Sequence, residues 1–217
     1  MRRGWLWALA AASVALLVAV LGWRLASRRD GGPDRARALI GAVEIEYPVS
    51  YARFGAGRAG GRLGRLELAF AFPGLQGAGA AASALPADDA QHAAGALVFL
   101  TLRSPDDVDP ADRVGALYAR FLQSDVWREE NGLIMRRFEA ASPYDHEELH
   151  FVPPDGRLFA ARCVRPMQPP SDLPSTCLAT LRLDGMDVDL RFPPVLLPQW
   201  DALTDGTRRL VASFTPK

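Results

Sequence analysis

The chain has 217 residues and a formal net charge of zero, with 24 arginines and a single lysine against 25 acidic side chains. The charge is uneven, because residues 1–37 carry a net charge of +5 and residues 38–217 a net charge of −5. The mildly acidic part is long enough for one hydrophobic core. Its charge argues against nucleic acid as the main partner, since phosphates are bound by a basic face.

Residues 5–23 contain no charged side chain and have a tryptophan at each end. As a helix this run is roughly 28 Å long, which matches the hydrocarbon core of a bilayer. Arginines follow it instead of a small-residue cleavage site, so we predict an uncleaved transmembrane helix and not a signal peptide. The predicted organisation is a short cytoplasmic tail at 1–4, this helix, a basic juxtamembrane linker at 24–37, and one soluble domain at 38–217.

Two observations disagree on which side of the membrane this domain lies. More arginines follow the helix than precede it, and the positive-inside rule then places the domain in the cytoplasm. Only four residues precede the helix, however, which is typical of a signal anchor that exports the chain behind it, and the domain carries a predicted disulfide. We therefore expect a single pass through a bacterial inner membrane, with residues 5–23 in the lipid bilayer and the C-terminal domain in the periplasm.

The first third of the domain contains strands separated by loops. Alternating apolar and polar residues predict strands at 42–48 and 65–72, with a loop rich in glycine and arginine at 53–64 between them. Residues 75–95 are rich in glycine and alanine and are predicted to form a long loop. Residues 96–102 are almost wholly apolar, which indicates a strand in the centre of a sheet.

A helix is predicted after this central strand. Asp109 is suited to the N-cap and Pro110 to the first helical position. Apolar side chains then recur at helical spacing and form one stripe, which we expect to be buried: Val114, Leu117, Tyr118, Phe121 and Leu122.

Five further strands are predicted in the remainder of the chain, with turns rich in proline, aspartate and glycine between them. Three aspartates near the last turn, Asp184, Asp187 and Asp189, are predicted to be solvated turn residues and not a metal site. The five predicted strands cover residues 133–138, 148–152, 157–164, 177–183 and 186–192.

The last predicted element is an amphipathic helix at 198–214, in which Gly206 suggests a kink. The whole pattern predicts an α+β chain: one N-terminal transmembrane helix, followed by a mostly antiparallel β-sheet domain with two packed amphipathic helices.

The two cysteines lie on two neighbouring predicted strands. A proline-rich connection separates Cys163 from Cys177, and we predict a cross-strand disulfide that closes it. Such a bond stabilises a fold by about 3 kcal/mol and forms in an oxidising compartment. The alternative is a pair of buried free thiols in a cytoplasmic domain.

Residues 146–150, His-Glu-Glu-Leu-His, match the H-E-x-x-H pattern and resemble zinc metallopeptidases over these five residues. In that pattern a helix brings His146 and His150 to one zinc ion, and Glu147 activates water. Two prolines soon follow, and the segment fits a β-hairpin better, in which the two histidines are about 13 Å apart. A zinc-dependent hydrolase with catalytic Glu147 is therefore the alternative function, and no cofactor is the leading expectation.

The loop at 53–64 contains the G-x-G-x-x-G pattern of dinucleotide sites. That pattern requires a preceding strand and a following helix, and here a strand follows directly, which argues against a nucleotide. The loop is either a flexible surface loop or an anion-binding loop formed by four arginines: Arg53, Arg58, Arg62 and Arg65.

The tether, the disulfide and the lack of a complete catalytic set together favour a binding protein over an enzyme. The leading hypothesis is a single-pass, membrane-anchored bacterial envelope protein whose periplasmic domain is a protein-binding or accessory module. A tethered inhibitor, such as an immunity protein that neutralises an incoming toxin, is one specific form. It predicts a protein partner in the envelope. A lipid- or glycan-binding envelope domain is a third possibility, without a specific motif behind it.

Overall fold

The computed structural model describes residues 34–79, 96–165 and 175–215. The tail predicted at 1–4 and the transmembrane helix predicted at 5–23 lie outside the described residues. Within those three ranges, no helix is both long and apolar enough to cross a membrane.

The larger of two β-sheets has nine strands, and every neighbouring pair in it is antiparallel. Strand order is β5-β4-β6-β12-β11-β10-β9-β8-β7. The strands are β4 (Arg65–Phe72), β5 (Gln76–Gly77), β6 (Ala96–Arg103), β7 (Trp127–Arg128), β8 (Ile134–Arg137), β9 (Glu147–Phe151), β10 (Ala160–Val164), β11 (Cys177–Leu183) and β12 (Met186–Phe192).

The smaller sheet has three strands in the order β2-β1-β3: β1 (Arg35–Ile40), β2 (Val43–Pro48) and β3 (Gly61–Leu63). The first two form an antiparallel hairpin, and β3, which follows the short helix α1 (Gly55–Ala59), runs parallel to β1. Because β1 begins at Arg35, the last residues of the predicted linker at 24–37 belong to this sheet. Gly60 permits the parallel pairing, since a Cβ atom there would lie 2.3 Å from the Arg37 carbonyl oxygen.

One face of the larger sheet, here called the inner face, carries the main hydrophobic core. It packs against the smaller sheet and against helix α2 (Trp200–Ala212). The helix buries Leu203, Leu210 and Val211 on one side. It continues without interruption through Gly206, and a kink there stays a prediction. The glycine lets Leu75 approach, because a Cβ at that position would lie only 3.2 Å from the leucine side chain.

The helix predicted from Asp109 onward is irregular. It consists of a 3-10 turn (Pro110–Asp112), a π-helical turn (Val114–Tyr118) and a second 3-10 turn (Ala119–Phe121). The predicted cap is confirmed, since the Asp109 carboxylate accepts a hydrogen bond of 2.9 Å from the backbone N–H two residues later. The prediction of a regular amphipathic helix is wrong. So short a segment has little helical stability of its own, and its packing onto the sheet determines its backbone conformation.

This irregular segment covers part of the opposite, outer face of the larger sheet. Its predicted apolar stripe packs there as a second, smaller core. The buried members of this core are Val114, Tyr118, Leu122, Phe138, Leu149 and Phe151. The α+β class with a mostly antiparallel sheet is therefore confirmed, and α2 is the longest helix among the described residues.

Candidate functional site

The His-Glu-Glu-Leu-His segment lies on a strand, so its side chains alternate between the two faces of the larger sheet. Residues 147–151 form β9, which pairs with β10 as the predicted hairpin. Glu147 lies on the outer face, whereas Glu148 and His150 lie on the inner face. His146 precedes the strand, and its side chain is 84% exposed. Glu147 and His150 therefore point away from each other, unlike the helical arrangement that a zinc hydrolase requires.

His150 is buried between two carboxylates. Its Nδ1 lies 3.0 Å from Oε1 of Glu129, and its Nε2 lies 3.3 Å from Oε1 of Glu148. Burial by itself lowers the pKa of His150, but the two carboxylates outweigh it and raise that pKa above its usual range. The hydrogen bond to His150 in turn lowers the pKa of Glu148. Both ring nitrogens are thus engaged, and the described residues contain no group of three His, Cys, Asp or Glu that could hold a metal ion.

Glu147 is held by an arginine within the smaller core. Nη1 of Arg162 donates a hydrogen bond of 2.7 Å to its Oε2. The same guanidinium lies over the rings of Tyr144 and Tyr118, 4.7 and 5.6 Å from their centroids. This ion pair, packed against two tyrosine rings, suits a structural role for Glu147.

The four arginines of the predicted anion-binding loop occupy different local structures. The guanidinium of Arg53 lies over the rings of Phe54 and Phe99, 4.9 and 4.3 Å from their centroids. Arg65 pairs with a glutamate two residues along the same strand. Arg58 lies on α1 (Gly55–Ala59) and Arg62 lies on β3, where the sequence had predicted a continuous loop. Anion binding by Arg53, Arg58, Arg62 and Arg65 stays a prediction.

The predicted disulfide is confirmed. Cys163 on β10 and Cys177 on β11 are directly opposite each other in the antiparallel ladder, with their Cα atoms 4.0 Å apart. Both side chains are buried in the main core. The bond therefore fixes the pairing of two central strands at one end of their contact.

The aspartates of the last hairpin are not all solvated turn residues, and this prediction is wrong for Asp187. Its side chain is fully buried on the outer face and is surrounded by three arginines. Arg182 donates from Nε at 2.6 Å, and Nη2 of Arg113 donates at 3.2 Å. Nη1 of Arg103 lies 3.4 Å away. Burial of a carboxylate is tolerated here because several charged donors compensate for the lost water.

Two neighbouring acids complete this cluster, which we call the Asp187 network. Asp189 accepts hydrogen bonds from Arg103 at 2.9 Å and from the Thr180 hydroxyl at 2.8 Å. Asp106 binds Arg103 and Arg113, and chiefly the hydrogen bond from Arg103 lowers its pKa. Three arginines thus face three aspartates, so this part of the outer face is neutral and internally paired.

The larger sheet opens beside this network. Only residues 161–163 of β10 pair with residues 177–179 of β11. Residues 180–183 pair with β12 on one side, and among the described residues they have no ladder partner in β10 on the other. A cavity of about 270 Å³ lies where the strands separate. We call it the β10–β11 cavity, and its walls include Pro110, Phe159, Ala160, Thr180, Leu181 and Arg208.

The rim of the β10–β11 cavity combines an exposed leucine with arginines. Leu158 is 68% exposed. Arg157 pairs with Asp112. The side chain of Arg208 is exposed on α2 and makes no hydrogen bond or ion pair with any other described residue. Chemically, this rim can accept an apolar side chain and a carboxylate side by side.

Sequence comparisons with protein-family models and with curated proteins give no match. Among solved structures, the chain is similar to Smlt3025, an immunity protein of the Stenotrophomonas maltophilia type IV secretion system, with a TM-score of 0.57 and 13% identity. The likeness covers 85% of this chain and 94% of Smlt3025. A second similar structure is the iron-regulated outer membrane lipoprotein FrpD of Neisseria meningitidis, with a TM-score of 0.48, 10% identity, and coverage of 85% and 93%. At 13% identity, the likeness to Smlt3025 shows a shared fold.

Proposed function

We propose that the chain is a bacterial envelope protein anchored in the inner membrane by residues 5–23, whose periplasmic domain binds and neutralises another protein. In its specific form, it is an immunity protein that protects the cell from a toxin. The observation that carries this proposal is the fold shared with Smlt3025, an immunity protein, over 94% of that chain.

The disulfide supports a periplasmic position for the domain. Cys163 and Cys177 are bonded, and disulfides persist in oxidising compartments such as the periplasm but are rare in the cytosol. Residues 5–23 support attachment to the membrane, because an apolar run of this length matches the bilayer core. The two features together favour export of the domain, against the arginine count.

A pair of reporter fusions tests the compartment. Alkaline phosphatase fused after the last residue is active only if it reaches the periplasm. Green fluorescent protein fused at the same position does not fluoresce if it is exported there in unfolded form. We expect an active phosphatase fusion and a dark fluorescent fusion. A bright fluorescent fusion with an inactive phosphatase would place the domain in the cytoplasm and overturn the proposed topology.

A protection assay tests the neutralising activity. The full chain, affinity-tagged at its C-terminus, is purified from native membranes, and any stoichiometric partner is identified. That partner is then exported to the periplasm of a host that lacks the chain. We expect growth to stop, and to resume when the full chain is co-expressed. Recovery of no stoichiometric partner, or of one whose export is harmless, would contradict the proposal.

A further inference from the structure

We infer that the β10–β11 cavity receives an acidic loop of the partner protein, with a carboxylate on Arg208 and an adjacent apolar side chain against Leu158. This inference rests on the proposed function and names the surface and the partner chemistry through which it is carried out. Four features of the described residues support it: an opening in the sheet, an arginine without a carboxylate, an exposed leucine, and a rigid rim.

The opening lies between β10 and β11, two strands in the middle of the nine-stranded sheet. Residues 177–179 of β11 have partner strands on both sides, whereas within the described part of the chain residues 180–183 are paired only with β12. The edge of a strand that lacks a neighbour offers backbone groups to another chain. The described residues therefore leave room for a partner at this place.

The charges that line the cavity favour an anion. Three arginines and one aspartate, Asp109, contribute to its walls. Arg182 is held by the buried Asp187 at 2.6 Å, and Arg157 is paired with a nearby aspartate. Arg208 remains, with no carboxylate bound to it among the described residues. A partner carboxylate would therefore complete the pairing of the arginines at this rim. Complementary charges also raise the association rate of two proteins and contribute to specificity.

The apolar part of the rim favours a protein over a lone ion. Leu158 is 68% exposed, and directly behind it Phe159 and Leu181 belong to the main core. An apolar side chain placed on Leu158 would thus extend the core outward and remove the leucine from water. Small-molecule sites usually measure about 300–1,000 Å³. At about 270 Å³, this cavity fits a few inserted side chains of a loop.

The rim is held in place before any partner arrives. Gly156 has a φ of +76°, and a Cβ atom there would lie 2.5 Å from Cγ2 of Val114, so the turn needs glycine. Its N–H donates to the carbonyl of Val152 at 2.9 Å, and the Val152 N–H donates to the carbonyl of Phe159 at 3.0 Å. A rim fixed in this way loses little conformational freedom when it binds.

Site-specific photo-crosslinking in native cells tests this inference on the full chain. The photoreactive residue p-benzoylphenylalanine replaces Leu158, or in separate strains Val126 or Val195, which are 51% and 71% exposed elsewhere on the surface. We expect a discrete crosslinked product from position 158, and the partner peptide joined there should contain an aspartate or glutamate. Arg208→Glu should lower its yield roughly 10-fold by placing like charges together. Arg209→Glu, an exposed neighbour outside the cavity wall, is the matched control and should leave the yield unchanged.

The outcomes separate this surface from the proposed function. Products from Val126 or Val195 but none from Leu158 would overturn the cavity as the docking surface and leave protein binding standing. If the crosslinking yield at position 158 is unchanged by Arg208→Glu, or if the crosslinked partner segment contains no acidic residue, the assignment of an acidic loop as the occupant is overturned. No product from any position, at matched expression, would overturn both.

Discussion

The Asp187 network and the β10–β11 cavity share Arg182 on β11, but they differ in whether their arginines are paired with acidic side chains. In the network three arginines face three aspartates, and Asp187 is fully buried among them. At the cavity the strands separate, and Arg208 stands exposed without an acidic partner among the described residues. Charges paired within the chain stabilise the fold, whereas a charge left unpaired beside an opening is available to another molecule.

Removal of the central carboxylate should give the largest loss of stability. Asp187→Ala leaves Arg103, Arg113 and Arg182 without their shared buried partner, and loss of one side of a buried ion pair costs about 3–5 kcal/mol. Urea denaturation of the full chain in detergent measures the free energy of unfolding. Asp205→Ala, at an exposed position of α2, should change it by less than about 0.5 kcal/mol. Equal losses in the two variants would contradict a central role for Asp187.

Removal of the disulfide should come next. It holds β10 to β11 at the paired end of their contact, opposite the cavity. The double variant Cys163→Ala, Cys177→Ala should lose about 3 kcal/mol of unfolding free energy in the same urea assay. Wild type treated with a reductant serves as the control and should lose a similar amount. A double variant as stable as the oxidised wild type would show that the bond does not restrain the fold.

The triad of buried His150 with the partly exposed Glu129 and Glu148 should make stability depend on pH. The folded pKa of His150 is raised, so its contribution is complete below its unfolded pKa of about 6.5 and is lost as pH rises through the folded pKa. The pKa of Glu148 is lowered, so its contribution is complete above its unfolded pKa of about 4.3 and is lost as pH falls through the folded pKa.

This pH dependence is measured as the difference in unfolding free energy between wild type and His150→Gln. We expect about 2 kcal/mol in favour of wild type near pH 6, since hydrogen bonds to charged groups contribute on this scale. The difference should shrink as pH rises toward 9. His146→Gln, at an exposed position outside the triad, should show no such trend. A constant or rising difference for His150→Gln would contradict the pairing.

The helical cap beside the cavity should have the smallest effect. Asp109 caps the irregular helical segment at the edge of the cavity. Asp109→Ala should lower stability by about 1 kcal/mol, the usual cost of losing an N-cap. Asp107→Ala, two residues earlier and exposed, should be neutral in the same denaturation experiment. Equal changes in the free energy of unfolding for the two variants would show that the cap does not stabilise the fold.

Much of the sheet can be predicted from local pattern. The predicted strands at 65–72, 177–183 and 186–192 match β4, β11 and β12 residue for residue. In each of them every second residue is apolar over seven or eight residues, which is a strong pattern. The strands β3, β5 and β7 have only two or three residues, too short to alternate, and the arginines of β1 resemble a linker.

The disulfide could be predicted because both cysteines lie on long, clearly patterned strands. The Asp187 network was missed, although Asp187 and Asp189 alternate with apolar residues, which places them on one face of a strand. Their partners Arg103 and Arg113 lie more than 70 residues away, and only the tertiary register brings them together. The β10–β11 cavity is harder still to predict from the sequence, because it arises where two well-formed strands stop pairing.

Growth of cells that export the co-purified partner to the periplasm is the measurement that tests the central claim most directly. Growth is compared without the chain, with the full-length chain, and with a version that lacks residues 5–23 and is exported by an added signal peptide. The expected result is arrest without the chain and full recovery with the full-length chain. Arrest that persists at stoichiometric levels of the full-length chain would contradict neutralisation of a partner as its function.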